Sequence, residues 1–86
     1  MSGESMTVRL ELFALARQRA GRGSLEMALP RGATVGHLRS NLAARIPELA
    51  GMLPHCMFAI DTQYAGDEAV IPAGALVACL PPVSGG

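Results

Sequence analysis

The chain is predicted to adopt an α+β fold, and three features of its sequence carry that prediction. Two stretches near the N-terminus alternate apolar and polar residues, the next switches to helical spacing, and a nearly unbroken apolar run lies close to the C-terminus. Its 86 residues suit one domain. A chain of this length buries roughly 60–65% of its unfolded surface, so the core is thin. Half of the residues are apolar, which fills such a core without disulfides or metal. With two Phe, one Tyr and no Trp, the filling falls to Leu, Val, Ile, Met and Ala.

Residues 1–6 read as a flexible lead-in, before the periodic pattern starts at Thr7. In "TVRLELFAL", Val8, Leu10 and Leu12 share one face of a strand and Thr7, Arg9 and Glu11 the other. Phe13 falls on the polar side of that alternation. "AGRG" supplies glycines for a reversal, and "SLEMALP" alternates again through Leu25, Met27 and Leu29 until Pro30, which cannot donate to a ladder. The two strands therefore read as a hairpin closed by a Gly-rich turn.

In "RGATVGHLRSNLAARIP" the period changes: Val35, Leu38, Leu42 and Ile46 form a helical stripe, with Thr34 as N-cap. Pro47 ends this helix and starts a short turn over "PELAGML". "HCMFAID" reads as a third strand, "TQYAGDEAV" as a turn with a short strand. "GALVACL" reads as a final strand covered on both faces and stopping at Pro81. A hairpin, a helix that returns the chain, and a parallel central strand make the pattern of a β-grasp. That is a mixed sheet with one main helix packed across it, here over residues 7–81, followed by a tail over 82–86.

Composition excludes several functions. Seven arginines and no lysine balance seven acids, without the positive excess that nucleic acid or anionic membrane binding needs. "MSGESMT" lacks the features of a signal peptide, and no run approaches the roughly 20 apolar residues of a membrane span. Cys56 and Cys79 are too few for a disulfide framework, so a cytoplasmic protein with reduced thiols is expected. The one dense basic stretch, "ARQRAGRG" with Arg17, Arg19 and Arg22, is either a solvated turn or a docking patch for an acidic partner.

His55 and Cys56 have no evident third member for a catalytic constellation. His37, His55 and Cys56 lack metal-ligand spacing, and Asp61, Asp67 and Glu68 suit turn capping better than a carboxylate pair. No Gly-rich phosphate loop precedes a helix. The chain does not read as an enzyme in its own right, nor as a holder of metal or bound cofactor.

The tail "LPPVSGG" is the exception to this blandness. Pro81 and Pro82 stiffen its exit from the last strand. Val83 to Gly86 then reach at most about 14 Å, at ~3.5 Å per residue. Gly85 and Gly86, without Cβ atoms, pass a narrow channel. A terminal carboxylate with a pKa around 3.3–3.7 is ionised and unreactive at neutral pH. Esterified to AMP, it becomes open to displacement by a sulfur donor, which leaves a thiocarboxylate on Gly86.

In "LFALAR", "TVGHLRSNL", "AIDTQYA" and above all "LPPVSGG", the chain resembles the ubiquitin-like sulfur carriers, in particular the small subunit of molybdopterin synthase, over residues 7–86. The resemblance implies a β-grasp fold and adenylation of Gly86 by an activating enzyme that uses ATP. It also implies thiocarboxylation through a sulfur donor protein, and a heterotetramer with the large synthase subunit. There sulfur goes to precursor Z (cyclic pyranopterin monophosphate), two charged carriers being needed per dithiolene.

Partner-facing positions carried over from the family are Phe13, Tyr64 and Leu80, with Arg17 beside them and Pro81, Pro82, Val83, Ser84 and Gly85 leading Gly86 into the partner. Two departures stand out: "AGAL" (Ala73 to Leu76) replaces a Gly-Asp-Glu, and Asp61 stands where Asn is common. The acidic contact is therefore expected to be missing or shifted to Asp67 and Glu68. The alternatives are a related carrier for thiamine, cysteine or another thio-metabolite, or a ubiquitin-like interaction module with an inert tail.

Overall fold

A computed structural model describes residues 4–82. The first strand, β1 (Ser5–Leu12), starts two residues before the alternation from Thr7. Met6 extends the apolar face and is buried with Val8, Leu10 and Leu12, so Ser5 and Met6 belong to the domain and not to a lead-in. β2 (Ser24–Pro30) pairs antiparallel with β1 as expected, but the connection is not a simple Gly-rich turn. It holds a two-turn helix, α1 (Ala14–Ala20). "ALARQRA" is made of strong helix formers, and its Ala16 is fully buried. Gly21 closes α1 in the left-handed region at φ 76°, its N–H donating to the Arg17 carbonyl.

Chain entry into α1 is strained. Phe13 is extended, and Ala14 then takes φ 52°, a conformation that costs an L-residue roughly 1–2 kcal/mol. Ala14→Gly relieves this and gives back part of the gain as unfolded-chain entropy. A net stabilisation of about 0.5–1 kcal/mol is expected. It is measured as a higher urea midpoint at unchanged slope, and a lower midpoint would contradict the strain argument.

α2 (Val35–Arg45) follows the predicted stripe, with Val35, Leu38 and Leu42 fully buried. Thr34 caps it, its Oγ1 accepting from the His37 N–H at 3.2 Å. The loop that carries Asp67 and Ala69 satisfies further N-terminal donors: Val35 N–H donates to the Ala69 carbonyl and Gly36 N–H to that of Asp67, each at 3.0 Å. A Cβ on Gly36 would sit 3.3 Å from that carbonyl oxygen, so glycine permits the close approach. Pro47–Leu49 and Leu53–His55 form short 3₁₀ turns before β3 (Met57–Ile60). His55 and Cys56 therefore precede the third strand instead of opening it.

β3 and β4 (Gln63–Ala65) are joined by Asp61 and Thr62, both at positive φ (47° and 73°) as a tight two-residue hairpin turn requires. β5 (Leu76–Leu80) lies at the centre of a five-stranded sheet in the order β2-β1-β5-β3-β4, parallel to β1 and antiparallel to β3. Its predicted double coverage does not hold. Val77 and Cys79 are buried, whereas Leu76 is exposed and Ala78 and Leu80 are half-buried. The core lies on one side of the sheet, under α2 and the 3₁₀ turns, and the other face is left open.

Arg39, off the apolar stripe of α2, turns inward. It donates to the carbonyls of Leu53 and Cys56 (2.9 Å to the latter) and to the Asp67 carboxylate at 2.7 Å. Its guanidinium also lies 4.9 Å from the centre of the Phe58 ring, the aromatic side chain of the core. One side chain thereby ties α2 to the turn before β3 and to the loop after β4. Asp67 is engaged in this clamp with its side chain still largely exposed, and Glu68 beside it is exposed as well.

Candidate functional site: the open sheet face and the tail exit

Strand pairing assembles the site. Since Leu10, Leu12, Val77, Cys79 and Phe58 point to the core, the residues between them face outward. One outward row crosses the sheet as Glu11, Ala78, Ala59 and Tyr64; the next, nearer the tail, places Leu80 opposite Met57. Phe13 continues β1 beside Leu80, its N–H reaching the Cys79 carbonyl at 3.3 Å. It lies just beyond the strand, as N-cap of α1, and not within β1. Phe13, Tyr64 and Leu80 therefore share one face.

Larger residues at the margin (Phe13 44% exposed, Met57 53%, Tyr64 71%, Leu76 41%) surround a floor of alanines. Such a shallow apolar dish is a surface that proteins cover with partners. Met57 and Leu76 were missed from the sequence because each sits in an apolar run with no marked period. Beside Tyr64 the dish continues into a groove of about 410 Å³ lined by Ile60, Asp61, Gln63, Tyr64, Ala65, Val70 and Pro72.

Asp61 is a structural capping residue. Its Oδ1 accepts from the Leu76 N–H at 3.0 Å and its own N–H donates to the Leu76 carbonyl at 2.9 Å, which locks the β3–β4 turn to the start of β5. At the other end β5 stops at Leu80, inside the apolar dish. Pro81 is half-buried and Pro82 exposed, so the chain leaves from the rim of the dish. Val83, Ser84, Gly85 and Gly86 lie outside the described residues. Arg17 lies on α1, one helical turn past Phe13, its N–H reaching the Phe13 carbonyl at 3.4 Å.

The described residues bring no nucleophile and base together. His55 is exposed, whereas Cys56 is buried and donates its thiol to the Met52 carbonyl at 3.3 Å. Cys56 and Cys79, distant in sequence, both lie in the core, near enough to influence each other's ionisation. Burial, together with the neighbouring Cys56, pushes the Cys79 thiol up to about 12, and burial raises Cys56 as well, so both stay protonated and unreactive near neutral pH. Among the described residues no three His, Cys, Asp or Glu side chains converge as a metal site. Nor is any described helix long and apolar enough to cross a membrane.

The sheet order, the parallel β1–β5 pair and the helix across one face define a ubiquitin-like β-grasp protein. Residues 10–86 match the ThiS family, and the chain belongs to that family. Two curated relatives are molybdopterin synthase sulfur carrier subunits. That of Arabidopsis thaliana is 29% identical over 82 residues, covering 95% of this chain and 85% of the relative. That of Chlamydomonas reinhardtii is 31% identical over 83 residues, covering 94% and 100%. Among solved structures, small archaeal modifier protein 1 of Haloferax volcanii superposes with a TM-score of 0.79 at 26% identity, over 91% of this chain and 99% of that one. The curated relatives are, by name, a sulfur-carrying subunit and not an enzyme complete in itself.

Proposed function

We propose that this protein carries sulfur on Gly86 as the small subunit of a molybdopterin synthase in the cytoplasm. The observation that carries this reading is the exit of β5: the central strand ends within the open apolar dish, at its rim. A partner that covers Phe13, Met57, Tyr64 and Leu80 thereby also receives the residues beyond Pro82. The apolar face supplies affinity, and the tail supplies the reacting group.

In the first step a Gly86 carboxylate oxygen attacks the α-phosphorus of ATP in the activating enzyme, and pyrophosphate leaves. Persulfide sulfur from a donor protein then attacks the acyl carbon and AMP leaves. Reduction of the resulting acyl disulfide by a thiol frees the thiocarboxylate. Docked on the large synthase subunit, in a heterotetramer, that sulfur attacks a carbon of precursor Z and displaces an oxygen substituent; water then cleaves the acyl–sulfur bond, which leaves the sulfur on the pterin and returns the Gly86 carboxylate. The domain contributes recognition and delivery, and converts a bimolecular encounter into a positioned one.

The test is intact mass after incubation with ATP, a cognate activating enzyme and a persulfide donor. A gain equal to exchange of one oxygen for sulfur, localised to Gly86, is expected. An unchanged mass, with the enzyme active on another carrier, would leave the tail as an inert docking segment. In a binding titration with the large synthase subunit, Phe13→Ala is expected to weaken partner binding by ~2 kcal/mol, the loss typical of an aromatic anchor. Synthase reconstitution then separates this pathway from thiamine, cysteine or other thio-metabolite supply.

A second reading, transfer of the Gly86 acyl group to an amine on another protein, is favoured by the likeness to a small archaeal modifier protein. It predicts higher-mass conjugates in place of the sulfur adduct.

A further inference from the structure

A carrier with an activated terminus exposes that acyl group to its own surface. An amine within reach attacks the acyl carbon of Gly86, expels AMP and loses a proton. The amide so formed resists sulfur nucleophiles, and the carrier is spent. The side chains that the fold places around the tail exit therefore bear directly on the chemistry.

The sequence holds seven arginines and no lysine, so it offers no side-chain amine. A guanidinium stays protonated in proteins and does not accept acyl groups. On α1, which packs against β5, the cations are Arg17 and Arg19. Arg17 is further held against Gly23, where a Cβ would fall 3.3 Å from its Cζ. Thiols are the second class of acceptor. Cys79 stands three residues before Pro82, close to the tail, yet its side chain is fully buried. Cys56 is buried as well, and burial keeps both thiols protonated.

Continuing the β3–β5 register, in which Met57 lies opposite Leu80, brings His55 beside Pro82. His55 is exposed there, but an acylated imidazole is reopened by water. Ser5, where β1 begins, lies at the far end of the sheet from the exit. At ~3.3 Å per residue that is about 23 Å from Leu12, beyond the roughly 14 Å that four tail residues reach.

We propose that the surface around the tail exit is an inert collar, offering activated Gly86 no side chain that would keep its acyl group, so that the group is preserved for an outside sulfur donor. The proposal rests on the sulfur-carrier reading above and adds resistance to self-acylation. Composition and fold act together here. Lysine is absent throughout, and the alternation of β5 turns inward the thiol that lies close to the tail.

The test uses the whole chain bearing a Gly86 thioester of a small thiol, made by intein cleavage, which supplies an activated acyl group without any enzyme. Intact mass, at low protein concentration and mildly alkaline pH, follows its decay. The wild type is expected to return to the carboxylate by hydrolysis alone. His55→Lys, with its fold checked by circular dichroism, is expected to lose thioester roughly tenfold faster. Its product should be one water lighter than the carboxylate form and cross-linked between residues 55 and 86. Arg31→Lys, which follows β2 at the far end of the sheet, should behave as the wild type.

A product one water lighter from the wild type would reveal an acceptor on its own surface and overturn the proposal. So would a His55→Lys chain that decays like the wild type, because the absence of lysine would then protect nothing. Equal cross-linking in the two lysine variants would overturn the argument from position. A wild type that gains no sulfur from its activating enzyme would remove the carrier reading, and the role of the collar with it, even with an inert thioester.

Discussion

Appending a single alanine after Gly86 is expected to abolish sulfur loading, with no detectable oxygen-for-sulfur mass gain under conditions that load the wild type fully. The physical reason is that the proposed chemistry needs a free carboxylate on a residue without a Cβ. The extension moves the carboxylate one residue further out, turns the Gly86 carbonyl into an unreactive amide, and puts a methyl group where the channel admits none. Folding should be untouched, because β5 ends at Leu80 and the core lies beneath it. An unchanged denaturation midpoint alongside lost loading would separate chemistry from stability. Sulfur found on the appended alanine would show that the activating enzyme reads any terminal carboxylate, and the argument from glycine would fail.

Arg39→Leu is expected to destabilise the domain by about 3 kcal/mol, roughly 15 °C in Tm for a chain this size. That is a large part of the 5–15 kcal/mol typical of whole domains. The substitution strands the Leu53 and Cys56 carbonyls, which Arg39 now satisfies, and removes the cation over Phe58. The ion pair itself contributes little, since the Asp67 side chain is 58% exposed. Asp67→Asn should therefore cost less than about 1 kcal/mol. Urea denaturation of both variants decides the matter: equal losses would shift the weight from the carbonyls to the salt bridge. Arg39→Lys should fall between wild type and leucine, because an ammonium cannot span all three acceptors.

Several elements were legible from local pattern. Strand alternation in β1 and β2, the stripe and cap of α2, and the stop at Pro47 each depend on residues a few positions apart. A side-chain period reports them directly. α1 was hidden because two turns of helix are too short to establish a period, and its glycine-flanked, arginine-rich sequence is also that of a turn. Phe13 stood out as a break in alternation, although its place beyond the strand did not.

By itself, then, the sequence determined the order and type of most elements, the central position of the last strand, and a terminal Gly-Gly on which the proposed chemistry rests. Which side of the sheet is covered was decided by the tertiary structure. An apolar run such as "LVACL" is the same string whether one face is packed or two, and the single layer of α2 and the 3₁₀ turns leaves the second face open. Tertiary structure likewise brought Met57 and Leu76 to the face of Phe13 and Tyr64, and turned Arg39 from a surface residue into a clamp. It also gave Arg17 a seat on Gly23. Each of these rests on contacts between residues far apart or across an unpredicted helix, and local periodicity carries no information about what will lie opposite.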